Sequence, residues 1–149
     1  MNNPPPLPQT NTRWGLFCGW SILAAFAGVL CIVLPPHLIQ GAIKHHVYGW
    51  PLIPWFATAT ANLCFVPSMV SMFLLGLALG VAQPRSWLLL GWMTVTLVFI
   101  LTAINIIHDW TIDDTSHNLW PFEFVLLAFF ALPALVGSFL GSRIKRNRK

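Results

Sequence analysis

Histidines and carboxylates are the residues that could do chemistry here, because little else on the chain ionises near neutral pH. The histidines are His37, His45, His46, His108 and His117, and the acids are Asp109, Asp113, Asp114 and Glu123. Imidazole and carboxylate together bind zinc, copper, nickel or iron, and imidazole alone changes charge near neutral pH. His45, His46, His108, Asp109, Asp113 and His117 are therefore the candidate set for a metal site or a pH response. Their spacing is poor for either. There is no H-E-x-x-H and no Cys/His set at zinc-finger spacing. His45 and His46 are adjacent, so on a helix they point about 100° apart. His37 and His45 would be roughly 12 Å apart on a helix, too far to share one ion. His108 near a helix C-terminus and Glu123 near a helix N-terminus suit the helix dipole without any ligand.

Other chemistries are excluded more firmly. No histidine lies inside an apolar run, where a membrane haem would need it. There is no G-x-S-x-G and no phosphate-cradling G-x-x-x-x-G-K-[ST]. Cys18, Cys31 and Cys64 all sit in apolar runs with no C-x-x-C among them, so they read as small hydrophobes. The expectation is a protein that is not an enzyme and needs no cofactor. Ion-coupled transport requires an ionisable group at depth. Glu123 is the single acid inside a span, about one turn below the outer surface, while Asn62 and Pro67 could mark a polar pocket at a broken helix. The simpler reading of the polar residues in that stretch, Thr58, Thr60, Asn62, Ser68 and Ser71, is hydrogen bonding between helices.

Three Gly-x-x-x-Gly spacings carry a different kind of information: Gly15/Gly19, Gly76/Gly80 and Gly137/Gly141. Each sets two glycines on one helix face, where a neighbouring backbone can approach closely. All three are expected at the same membrane depth. Helices one, two and four would then converge there, or one of these faces would meet another subunit.

The elements that must position these residues follow from composition. The 149 residues are 56% hydrophobic and 8% charged, with a mean hydropathy of +0.71. An ordinary soluble domain carries about 25% charged residues. Lipid is thus the main solvent. A disordered chain is excluded, and so is a solvated globular domain. Four apolar runs are long enough to cross a bilayer: residues 14–34, 54–82, 87–107 and 120–140. The first is too long for a signal peptide and lacks a small-x-small cleavage site, so it reads as a retained helix stopped by Pro35 and Pro36. Pro67 should kink the second run. Residues 1–13 form a polar, proline-rich leader, and residues 142–149 a basic tail. Within 37–48, apolar residues recur at helical spacing, which fits a short helix lying in the membrane interface.

Charge sets the orientation. Five of the eight basic residues lie in the last seven positions: Arg143, Lys145, Arg146, Arg148 and Lys149. Such a tail beside an apolar segment is an orientation signal facing anionic lipid, not a nucleic-acid site. With the N-terminus inside, Arg13, Arg85 and the tail are cytoplasmic, Lys44 alone is external, and every acid and histidine is external. Trp50, Trp55, Trp110 and Trp120 then mark the outer interface, and Trp14 and Trp87 the inner one. The sequence thus predicts an all-α integral membrane protein, a four-helix bundle with both termini cytoplasmic, in a bacterial inner (cell) membrane. Its expected role is a small accessory or scaffold subunit, packing with itself or with a larger membrane partner. The alternatives are a small transporter and an outer-face metal-binding or pH-sensing protein.

Overall fold

A computed structural model describes residues 11–40, 66–112 and 120–147. They form four helices: α1 (Asn11–Gln40), α2 (Val66–Ala82), α3 (Trp87–Ile112) and α4 (Trp120–Asn147). Three of them contain stretches long and apolar enough to cross a membrane: Trp14–Ile39, Trp87–Ile112 and Phe124–Asn147. The described residues are helical apart from the turn at 83–86, and their three apolar helices are of the kind that makes an integral membrane protein. At 1.5 Å per residue each stretch exceeds the hydrocarbon thickness of about 30 Å, so each must tilt or project into the headgroups. As described, α2 has 17 residues. Residues 54–65, the first part of the second expected span, lie outside the described residues, and so do residues 41–48 of the expected interfacial helix. Pro67 sits in the first turn of α2 as described.

Three boundaries differ from the sequence expectation. The third helix runs to Ile112 rather than 107. The fourth continues to Asn147, so Arg143, Lys145 and Arg146 belong to a helix and not to a detached tail. The largest difference is α1, which begins at Asn11, within the expected leader, and passes through Pro35 and Pro36 to Gln40.

The continuation of α1 has a physical reason. Pro36 has no N–H, so the carbonyl of Ile32, four residues earlier, loses its helical donor. Ser68 of α2 supplies one: its Oγ donates to the Ile32 carbonyl at 3.1 Å in a buried bond. Pro36 itself is fully buried. In lipid, a freed carbonyl must find a partner inside the protein, and a hydroxyl on a neighbouring helix is one solution. Ser68→Ala is expected to cost about 1 kcal/mol in the natural chain. In a Pro36→Ala background the helix regains its own donor, so the same change should cost clearly less. Denaturant unfolding of the four proteins in micelles measures this coupling, and equal costs in both backgrounds would refute it.

Contacts fix the arrangement. α1 packs on α2 and α3, α4 packs on α2 and α3, and α2 touches α3, whereas α1 and α4 do not meet among the described residues. In cross-section this is a rhombus with α2 and α3 on its short diagonal. One core layer, Ala24, Leu79 and Leu90, lies toward the α2–α3 turn. A larger layer above it includes Ile32, Val33, Met72, Val98, Leu127 and Phe130. Rising numbers on α1 and α3, against falling ones on α2, make α1 parallel to α3 and antiparallel to α2. Aromatic pairs tie α3 to α4 at two levels: Trp87 with Phe139 (centroids 5.2 Å apart) and Phe99 with Phe124 (5.7 Å).

The α2–α3 turn is short because its polar groups are satisfied locally. Gln83 donates its N–H to the Leu79 carbonyl (2.8 Å) and Ser86 donates its own to the Gln83 carbonyl (3.1 Å). Ser86 then opens α3 by accepting the Leu90 N–H at 2.9 Å, the position where serine is favoured.

Candidate functional site

Small residues meet where α2, α3 and α4 come closest. On α2, Gly76 and Gly80 are buried against α4. A Cβ on Gly76 would overlap the backbone of Ala134, and one on Gly80 the backbone of Ser138. The relation is reciprocal: a Cβ on Gly137 would overlap the Phe73 carbonyl, and one on Gly141 the Leu77 carbonyl. Two Gly-x-x-x-Gly faces are therefore pressed onto each other, with both helices running the same way. Each face supplies the missing side chains and the backbone that the other needs for close approach.

The third helix joins through Gly91, where a Cβ would come within 2.8 Å of Leu135 Cδ2 and 2.9 Å of Ser138 Oγ. Ser138 is fully buried between Gly80 and Gly91, and its hydroxyl is kept off lipid by donating to the Leu135 carbonyl at 3.0 Å. Ser142, one turn on, does the same with Phe139 at 2.8 Å. A separate close approach joins α1 to α3: a Cβ on Gly28 would overlap the backbone of Thr94. Thr94 is buried and satisfies its hydroxyl on the Gly91 carbonyl at 2.7 Å.

Gly15 and Gly19 behave differently. Among the described residues nothing lies within 4 Å of a Cβ built on either one. Among the described residues, two of the three glycine faces, on α2 and α4, meet each other. Ala24, Gly28, Ile32 and Pro36 turn toward the bundle, while Gly15, Gly19, Phe26 and Leu30 form a stripe about 150° around the helix from them.

Of the candidate metal residues, His45, His46, Asp113 and His117 lie outside the described residues, and so does Asn62. His108 and Asp109 are described. They are chain neighbours, with Nδ1 3.4 Å from Oδ1. Among the described residues no three His, Cys, Asp or Glu side chains come together. Glu123 is in the first turn of α4. Asn105 is buried in α3, and its Oδ1 and the Thr102 Oγ1 one turn away have no hydrogen-bond partner among the described residues.

The basic end is ordered by backbone contacts. Lys145 donates to the Ala82 carbonyl at 3.2 Å, and Arg146 to the Pro84 carbonyl at 3.1 Å. Ala82 is the last residue of α2, so the ammonium satisfies a helix-terminal carbonyl and opposes the negative end of the dipole.

Compared with known protein families, curated proteins and solved structures, the chain matches none. Function therefore rests on the molecule itself.

Strict Gly-x-x-x-Gly spacing passed over Gly28, Gly91, Ala134, Ser138 and Ser142. A broader pattern finds most of them, since Ala24/Gly28 and Ala134/Ser138/Ser142 are small residues four apart. Ser68 was visible only as one polar residue among several. Its partner is a backbone carbonyl freed by a proline 32 positions earlier, and no local pattern connects the two.

Proposed function

We propose that this chain is a non-enzymatic accessory or scaffold protein of a cell membrane. It crosses the bilayer four times with both termini in the cytoplasm, and it assembles through α1 with a second copy or a larger membrane partner. The observation that carries the reading is the open face at Gly15 and Gly19. The other glycine pairs are consumed inside the bundle, and this one is left clear beside exposed Trp14, Leu16, Ile22 and Phe26. Small residues flanked by large apolar ones are what close helix packing in lipid requires. The charge distribution supports the orientation: seven of the eight lysines and arginines fall on one side when the N-terminus is placed inside.

The test is assembly in mild detergent. Gly15→Leu with Gly19→Leu should weaken self-association or partner capture by roughly tenfold or more while leaving the monomer's helix content unchanged. An assembly unaltered in size and strength would remove α1 as the interface. A reporter reading the C-terminus as external would overturn the orientation.

A further inference from the structure

We infer that the α2–α3 turn and the end of α4 form a docking surface for anionic phospholipid headgroups. Its cations are Arg85, Arg143, Lys145 and Arg146.

These residues are gathered by the fold. Arg146 reaches the Pro84 carbonyl, which puts its guanidinium beside Arg85 in the turn. Arg143 lies one helical turn before Arg146 and stacks 5.1 Å above the Phe139 ring, which in turn meets Trp87 at the start of α3. Lys145, fixed on Ala82, joins the group from the α2 side. Arg85, Arg143 and Arg146 are exposed. Arg146 spends one N–H on Pro84 and keeps others free, since a guanidinium has five donors.

Two observations point to lipid as the occupant. The first is depth. Exposed Leu88, Leu89, Phe139, Leu140 and Ile144 surround the cations at the same level of the bundle. That apolar collar must sit in hydrocarbon, which places the guanidiniums at the height of the phosphates rather than in bulk water. The second is charge segregation. Asp109, near the end of α3, and Glu123, in the first turn of α4, sit at the opposite end of the bundle. Among the described residues no carboxylate pairs with these cations. Planar guanidiniums bind phosphate oxygens in a two-pronged manner, and an aromatic face beneath one of them limits its motion. Clustered cations at a membrane surface favour anionic lipid by about fivefold for each Lys or Arg.

The test uses the full chain reconstituted in vesicles of phosphatidylcholine alone or mixed with phosphatidylglycerol. Lipid retained on the protein is then read by mass spectrometry after gentle detergent extraction. Phosphatidylglycerol should be retained above its share of the mixture, and added salt should weaken the preference. Arg85→Gln with Arg143→Gln, neither of which caps a carbonyl, should lower the preference by an order of magnitude, while Arg85→Lys with Arg143→Lys keeps most of it. If the glutamine pair fails to fold, the single Arg85→Gln variant should still show a fivefold drop. A retained-lipid profile matching the bulk mixture would overturn the inference. So would equal retention by the glutamine pair, or complete displacement of the lipid by inorganic phosphate, which would assign the cations to a soluble anion.

Discussion

Gly76→Ala should destabilise the bundle by about 2–3 kcal/mol or more, although alanine is the better helix former by about 1 kcal/mol. The reason is what the new methyl group would meet. A Cβ at Gly76 runs into the backbone of Ala134, and backbone cannot rotate away as a side chain can. α2 and α4 would have to separate, which also loosens Gly80 on Ser138 and the reciprocal seats of Gly137 and Gly141. Gly76→Leu should abolish the pairing altogether. Gly15→Ala and Gly19→Ala are the internal controls. With open space around them they should leave the monomer unchanged or slightly more stable. Denaturant unfolding in micelles reads the ranking directly. A Gly76→Ala protein as stable as the natural one would mean the two faces are not in contact.

Gly28→Val is expected to detach α1 from the other three helices. Among the described residues this is the one glycine of α1 that faces a neighbour, and a side chain there overlaps the backbone of Thr94. α1 has no contact with α4 to fall back on. Moving it off α3 would also withdraw the Ile32 carbonyl from Ser68, so the loss should exceed that of Ser68→Ala and reach about 3 kcal/mol. The two free cysteines of α1 provide the measurement. Cys18 is exposed and should label at an unchanged rate, whereas Cys31, half-buried beside the core, should label faster once α1 lifts away. Unchanged labelling of Cys31 would show that α1 is held by something other than this approach.

The fold was legible in the sequence where the argument needed only hydrophobic length. The apolar runs beginning at Trp87 and Trp120 open helices at those residues. The ends were less legible. Pro35 and Pro36 read as a stop because proline removes a donor, and the compensating hydroxyl belongs to another helix. Arg143 to Arg146 read as a tail because charge normally leaves the helix pattern. Their helical state depends on capping Ala82 and stacking on Phe139, both of them tertiary contacts. The glycine spacings identified faces and not partners. Nothing local separates Gly15/Gly19 from Gly76/Gly80, because what distinguishes them is the backbone that lies opposite.

The parallel pairing of α2 with α4 has a consequence for biogenesis. Helices enter the membrane in order as the chain is made, and the residues that seat Gly76 and Gly80 are Ala134 and Ser138 of the last helix. α2 must therefore wait with its glycine groove unfilled by protein until α4 has been made. Lys145 and Arg146 latch onto the α2–α3 turn only after α4 has slid into place. A chain interrupted before α4 would keep its first three helices yet expose a notched, adhesive surface. Quality control in the membrane could recognise such a surface as the mark of an unfinished molecule.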